Sequence, residues 1–538
     1  MSWIVDHHTA IICAGSLFIV CLASRFSKRK LVGGIPLPPG PAGLPFLGNV
    51  LSINSQEPWE TYAAWGAQYG DLVYARFVNQ DVVIINSEKI AKDLLEKRSS
   101  NYSDRPYLPT RLPFGWTHNF AFTPYGNEWR LARRLFHQGF RAEASLTFRP
   151  MQIRKSYQLL TNLLESPQNF SAHLTTFSSS IAMSATYDYE TAPTDDPIVS
   201  VVEKANNLGL QYMTPETTLI LNIFPFLLHL PSWFPGATMK RNANLCTKYG
   251  IEMVETPIEY VQKNMAAGTA GPSLVSDLLR MRERQDPDRL ADFDAALRQS
   301  SASAFSGGSE TVNFIEYPSV SSHITILKQT STMLLIFILA MVLHPHVQVR
   351  ARAELDAVVG KHRLPDYSDR LSLPYIEAII REVARWQPMV PLAIAHAATN
   401  SDVYEGFYIP KGTTVIANAW AMARNEAVYP QATEFIPERF LDASGQLLNA
   451  EASTTAFGFG RRTCPGRHLA DASLYIAIAS TLALFEFSKA KDDQGREIDF
   501  VPKYTVGVTR HPDPFPCRIV PRPGVDGEKL AAIFDPVP

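Results

Sequence analysis

The sequence predicts a mainly helical chain with small β-sheets, an α+β fold, preceded by a single N-terminal membrane anchor. Three observations lead there. Helical patterns broken by Pro/Gly punctuation, such as Phe234-Pro-Gly and the stretch Gly268 to Pro272, fill the middle of the chain from about Tyr125 to Arg298. Strand-like runs are short and confined to a few places. An apolar run from Thr9 to Ser24 is followed at once by Arg25, Lys28, Arg29 and Lys30.

The apolar run is short for a bilayer, which asks for roughly 20 residues, but Trp3-Ile4-Val5 extends it. A secretory signal carries its positive charge before the apolar run, and here the order is reversed. By the positive-inside rule the tail then faces the lumen and everything after Arg25 stays cytosolic. Residues 1–30 are therefore expected to be a signal anchor with a basic flank. Pro36-Leu-Pro-Pro-Gly-Pro-Ala-Gly-Leu-Pro45 follows, a stiff segment that makes 31–48 a hinge or a simple spacer before a catalytic domain over 49–538.

Leu72-Val-Tyr-Ala-Arg-Phe-Val78 and Val82-Val-Ile-Ile85 flank Asn79-Gln80-Asp81, which predicts a β-hairpin, and Ser87 is placed to cap a helix running to about Lys97. Further strands are expected near Ala393 to His396, Tyr404 to Ile409 and Thr414 to Ala417, the last two joined by a turn at Pro410. Tyr375 to Pro388 and Arg467 to Phe487 have helical composition.

The 538 residues are 46% hydrophobic and 19% charged, with a formal charge of −2, which excludes a disordered chain and gives no sign of nucleic-acid binding. Cysteines 13, 21, 246, 464 and 517 show no Cys-x-x-Cys spacing, so neither a disulfide framework nor a structural zinc site is expected. A reducing setting suits them.

Chemistry concentrates in Phe457-Gly-Phe-Gly460-Arg-Arg-Thr-Cys464-Pro-Gly466. Its glycines allow close approach to a flat cofactor, and Cys464 would sit at the positive N-terminal end of the following helix, where a thiolate is stabilised. A glycine turn before a core helix with a buried free cysteine is the bland alternative. Upstream, Glu382 and Arg385 share a helix face, and Phe435-Ile-Pro437-Glu438-Arg439-Phe440 adds a second arginine. Trp129 and Arg133 stand one helical turn apart in Tyr125-Gly-Asn-Glu-Trp129-Arg-Leu-Ala-Arg133-Arg134. Ala304-Phe-Ser-Gly307-Gly308-Ser-Glu310-Thr311 places an acid and an alcohol beside two glycines in a helical pattern.

Phe-x-x-Gly-x-Arg-x-Cys-x-Gly, preceded in order by Glu-x-x-Arg and Pro-Glu-Arg-Phe, resembles the cytochrome P-450 family, over about Pro36 to Arg522. The resemblance implies a cytochrome P-450 fold and haem b, with Cys464 as axial iron ligand. It implies cofactor contacts from Phe457 and Gly466, and propionate contacts from Trp129, Arg133, His396 and Arg462. A Glu382–Arg385–Arg439 network would lock the scaffold, and Glu310 and Thr311 would relay protons to bound dioxygen.

The chain has no convincing dinucleotide or flavin module, so the implied electron donor is NADPH-cytochrome P-450 reductase, with cytochrome b5 as a second donor. Arg130, Arg134, Arg461 and Arg467 offer it a basic face. The chain looks most like fungal microsomal members, anchored in the endoplasmic reticulum membrane, that decorate terpenoids, polyketides or indoles. Lipophilic substrate contacts would come from Tyr107 to Phe122, Leu208 to Trp233, Ala304, Phe305, Val390 to Ile394 and Thr505 to Val508. A haem-thiolate isomerase or peroxygenase, or a catalytically impaired haem protein, is the alternative.

One stretch departs from the family pattern. Residues 312–329 bring Pro318, β-branched residues and a serine pair where a helix should continue, and their removal joins Thr311 to an apolar helix from Thr330. These 18 residues, 54 nucleotides of coding sequence, are expected to be either a translated unspliced intron or a surface insertion.

Overall fold

The computed structural model describes residues 34–192, 196–212, 215–308, 329–448 and 455–523. The anchor expected in 1–30, the Glu310–Thr311 pair and the departing segment up to residue 328 lie outside them. Among the described residues, no single helix is long and apolar enough to cross a membrane. The chain divides into two units, residues 1–106 with 392–422, and residues 107–391 with 423–538.

The smaller unit holds a helix, α1 (Pro58–Tyr69), and a four-stranded sheet built from β1 (Leu72–Phe77), β2 (Gln80–Ile85), β3 (His396–Ala397) and β6 (Thr414–Ala417) in the order β1-β2-β6-β3. Val73 pairs with Ile84 and Ala75 with Val82, and these four side chains share a core with Tyr62 and Trp65 of α1. Val83 and Ile85, on the other side of the pleat, are also fully buried, which is why β2 reads as a continuous apolar run rather than an alternating one. The proline-rich segment is docked rather than a free spacer. Pro39 accepts a hydrogen bond from the Tyr74 amide, and a Cβ on Gly40 would stand 1.8 Å from the Tyr74 carbonyl oxygen, so only glycine fits there.

Several local expectations need correcting. The hairpin turn is Val78-Asn79, with β2 already under way at Gln80. The helix from Glu88 begins after Ser87, whose side chain makes no cap bond, and continues through wider turns over Lys92–Lys97. Residues 404–409 do not form one strand. They form the turn and edges of a hairpin between β4 (Asp402–Tyr404) and β5 (Phe407–Ile409), because Glu405 and Gly406 both take positive φ. β6 pairs with β2 and β3 instead of β5, since the turn at Pro410 leads it away from its sequence neighbour.

The larger unit is helical. Its longer helices are α2 (Asn127–Phe140), α3 (Arg149–Glu165), α4 (Phe170–Tyr187), α5 (Pro197–Tyr212), α6 (Thr238–Ala267), α7 (Leu290–Gly308), α8 (Gln329–Leu343), α9 (Pro345–Val358), α10 (Pro374–Trp386) and α11 (Arg467–Leu484). Met333 to Val342 of α8 are all buried, as are Ala472 to Leu484 of α11, so both helices are enclosed on every side and carry apolar residues all round. The helix expected to reach Phe487 stops at Leu484. Phe485 turns extended and opens β7 (Phe485–Lys489), which pairs with β8 (Cys517–Pro521). Likewise α10 stops at Trp386, short of Pro388, because the residue before a proline avoids helical geometry.

Candidate functional site

The cysteine loop is held by its own backbone. The Cys464 amide donates to the Phe457 carbonyl at 2.8 Å, and the Thr463 hydroxyl reaches the carbonyls of Phe457 and Gly458 at 3.2 and 3.3 Å. Gly458 and Gly460 take φ of 74° and 57°, the left-handed geometry that lets the chain reverse twice within four residues. Phe459 between them is buried and pins the reversal to the core. Gly460–Arg462 form a short tight turn, and α11 begins only at Arg467 with Gly466 as its cap. Cys464 thus stands just ahead of the helix rather than in its first turn.

Three positive groups converge on its sulfur: the Gly466 amide, the Arg133 guanidinium and the Arg467 guanidinium. Burial is nevertheless the largest influence and holds the thiol above its ordinary range. Burial and the three positive groups thus act on this thiol in opposite directions. Arg133 is affected in the opposite sense. Burial brings its guanidinium down to about 10, opposed by attraction to the Cys464 sulfur and assisted by repulsion from Arg467.

Helix α2 supplies the next pair. Trp129 is buried, and the Arg462 guanidinium lies over its ring at 4.3 Å. Arg462 is fixed by the carbonyls of Thr123 at 2.8 Å and Phe120 at 3.4 Å. The indole N–H of Trp129 and the Arg133 guanidinium, one turn apart, make no hydrogen bond among the described residues. Two open donors one helical turn apart, one of them a cation, suit an anionic group of a bound cofactor. Haem, whose carboxylates would take such donors and whose iron would take the Cys464 sulfur, fits this set of residues.

Glu382, Arg385 and Arg439 are brought together elsewhere in the unit. Arg385 forks onto Glu382 with two bonds of 2.7 Å and donates three more to the carbonyls of Ala423, Ala432 and Glu434. Glu382, wholly buried, also accepts from the Ile436 amide at 2.7 Å and from Arg439 at 3.2 Å. Every partner is internal, so this cluster has nothing to offer a ligand. His396 belongs to the smaller unit, where it opens β3 and its Nδ1 donates to the Tyr102 carbonyl at 2.7 Å. Glu310 and Thr311 lie outside the described residues. At the surface, Arg130 and Arg461 gather over the Tyr125 ring, with Arg134 exposed nearby on the same helix as Arg130.

Sequence reasoning gave Arg467 a surface role only. Its bond to the Cys464 carbonyl at 3.4 Å and its charge near the sulfur went unseen, although its position three residues beyond the cysteine was a usable signal. The carbonyls of Phe120 and Thr123 that seat Arg462 had no signal at all, being backbone atoms more than 300 residues away.

A sequence model of the family described as Cytochrome P-450 matches residues 38–314 and 327–517. The chain belongs to the cytochrome P-450 family. It is 36% identical to the cytochrome P-450 monooxygenase claR of Ampulloclitocybe clavipes, over 97% of this chain and 93% of that protein. Identity is 38% to the cytochrome P-450 monooxygenase ple1 of Rhodocybe pseudopiperita, covering 90% of each. With the cytochrome P-450 monooxygenase 208 of Postia placenta it is 36%, covering 96% of each. The chain is thus a haem-thiolate monooxygenase, an oxidoreductase. The family match skips residues 315–326, which fall inside the stretch whose composition departs from the helical pattern.

Proposed function

We propose that this cytochrome P-450 oxidises a lipophilic small molecule of fungal secondary metabolism, a terpenoid, polyketide or indole, with Cys464 as the thiolate that holds the haem. The observation that carries the reading is the convergence of Arg133, Arg467 and the Gly466 amide on one sulfur, beside the open donors of Trp129 and Arg133. Haem ligated by a thiolate supplies the oxygen activation from which the one-oxygen oxidation follows.

The protein's own residues do the rest. Arg133 stays cationic at neutral pH and, with the Trp129 N–H, offsets the desolvation of a buried carboxylate; Arg462, stacked on Trp129, adds a second cation. The Gly466 amide and Arg467 stabilise negative charge on Cys464, and so favour release of its proton when it becomes a ligand. Phe457, on the sequence pattern, would lie against the cofactor. His396 as a carboxylate contact, and Glu310 and Thr311 as the proton relay, hold their roles on the sequence pattern alone. The cluster of Arg130, Arg134 and Arg461 supports docking of an acidic reductase domain. The apolar run of residues 9–24, with cations after it, supports a single-pass anchor in the endoplasmic reticulum with a cytosolic catalytic domain.

The test is a reduced carbon-monoxide difference spectrum of the full chain, followed by oxygen uptake with NADPH and a microsomal reductase. A thiolate band that Cys464→Ser abolishes, with uptake that requires the reductase, is the expected result. A band that survives the substitution removes the assignment of Cys464.

For residues 312–329 the reading is a retained intron. Support comes from the gap in the family match at 315–326 and from the helical stretches α7 and α8 on either side. Sequencing the mature transcript decides: a message that keeps all 54 nucleotides, and whose product binds haem and turns over, overturns it.

A further inference from the structure

We infer that Gln152 is a positioning residue for the Cys464 sulfur: its buried carboxamide fixes the register of α11, the helix into which the cysteine loop runs. This rests on the reading of Cys464 as the haem ligand, and it names what holds that sulfur in place from a neighbouring helix.

Gln152 lies in the first turn of α3 and is wholly buried. Its Nε2 donates to the Leu469 carbonyl at 3.0 Å and to the Ser473 hydroxyl at 2.9 Å, which uses both of its hydrogens. Its Oε1 accepts from the Tyr367 hydroxyl at 2.9 Å. The carboxamide therefore has one orientation, because turning it round would set Oε1 against the Leu469 carbonyl, acceptor against acceptor. The Ser473 hydroxyl in turn donates to the Leu469 carbonyl at 2.8 Å, so the three groups close a ring on the first two turns of α11.

Tyr367 ties the same turns a second time. Its hydroxyl also stands 3.1 Å from the Ala472 carbonyl, and the Arg149 guanidinium, at the start of α3, covers its ring at 4.7 Å. Beside it, the Tyr475 hydroxyl donates to the Asp366 carbonyl at 3.0 Å, and Arg370 pairs with Asp471 at 2.7 Å. From Ala472 to Leu484 the helix is buried, and apolar burial is non-directional. A satisfied buried polar network is what specifies one arrangement among the several that burial alone accepts.

This register reaches the sulfur over a short path. Gly466, the cap of α11, accepts from the Ala470 amide at 3.0 Å, and Arg467 donates to the Cys464 carbonyl at 3.4 Å. Leu469 stands only five residues beyond the cysteine. A slip of α11 by one residue moves it about 1.5 Å, whereas a metal–sulfur distance tolerates about 0.2 Å.

Gln348 on α9 supplies an internal comparison. It is also a buried glutamine whose Nε2 donates to two groups, the carbonyls of Met341 and Phe487 at 3.2 and 2.7 Å, and whose Oε1 accepts from the Phe487 amide at 3.1 Å. Its strand partner belongs to β7, which follows the end of α11 remote from Cys464.

The test uses the haem-loaded full chain, reduced under carbon monoxide. Loss of the thiolate band is timed in urea, at a fixed interval below each variant's own unfolding midpoint, so that global stability is matched. Gln152→Met, which is close in length but donates nothing, is expected to lose the band about five- to tenfold faster than wild type, the worth of one neutral hydrogen bond. Gln348→Met is expected to stay within about twofold of wild type, as a distant site should. Ser473→Ala removes one bond of the ring while favouring the helix itself, so a loss about two- to threefold faster reports register rather than helix strength.

An unchanged rate in Gln152→Met overturns the inference, as does an unchanged rate in Ser473→Ala where the methionine variant yields no folded protein. Equal acceleration by Gln348→Met overturns it too, because Gln152 would then stabilise the fold and nothing more. The reading of Cys464 is judged separately. A wild type without the thiolate band strikes that reading, whereas a wild-type band whose lifetime Gln152→Met does not shorten strikes only the role of Gln152.

Discussion

Arg385 on α10 commits every donor direction to the protein, with five hydrogen bonds, whereas Arg133 on α2 makes none among the described residues although burial already depresses its pKa. Both are arginines on amphipathic helices of the same unit. The first is closed by a buried carboxylate, and the second has the Cys464 sulfur and the Arg467 cation near it and no carboxylate ion pair among the described residues. The difference separates a side chain that holds the fold from one that waits for an anion, and no property of arginine itself makes the distinction.

The largest effect expected from breaking this contrast is at Arg385. Its replacement by leucine leaves the wholly buried Glu382 carboxylate with only Arg439 and the Ile436 amide on one oxygen, and costs about 3 kcal/mol, a large part of a domain's stability. Urea unfolding and the yield of soluble protein measure it. Arg133→Leu is expected to behave oppositely. The haem-free protein keeps its stability within about 1 kcal/mol, because no internal partner is orphaned, while haem retention falls roughly ten- to hundredfold through loss of a charge-assisted bond. Haem transfer to apomyoglobin reads this. Equal destabilisation by the two leucine variants would erase the contrast.

The smallest effect concerns pH. His118 titrates near 4 in the fold, below its unfolded value of about 6.5, so the unfolded chain takes up the proton first as pH falls. Its contribution is fully present above about pH 6.5 and is lost as pH drops toward 4, by about 1 kcal/mol after allowance for its partial accessibility. His118→Phe should flatten that part of the stability profile, measured by urea midpoints across the window.

Much of this was legible in the chain. Glu382 and Arg385 share a face because three residues is nearly one helical turn, whatever the rest of the molecule does. The glycines at 458 and 460 announced a loop that only they can follow, and the cysteine came with it. Less legible was where regular elements end. The helix from Arg467 gave way to a strand at Phe485 because that segment pairs with Cys517–Pro521, a partner no local pattern names. β6 likewise joined β2, whose residues lie more than 300 positions earlier, rather than the strand beside it in sequence. The lack of a hydrogen-bond partner for Arg133 among the described residues left no trace at all, since it is defined by what fails to approach it.

The sequence by itself determined which residues could do chemistry and how the local backbone would present them: a cysteine in a glycine loop, a helix-face ion pair, a tryptophan and arginine one turn apart. These follow from spacing and from backbone freedom, which act over a few residues. Only the tertiary structure decided which charges are satisfied and which stay open, which cations stand near the Cys464 sulfur, and that the His118 Nδ1 is engaged by the Gly115 carbonyl. Burial and partnership are properties of what the rest of the chain brings to a point, and that is set by packing across hundreds of residues.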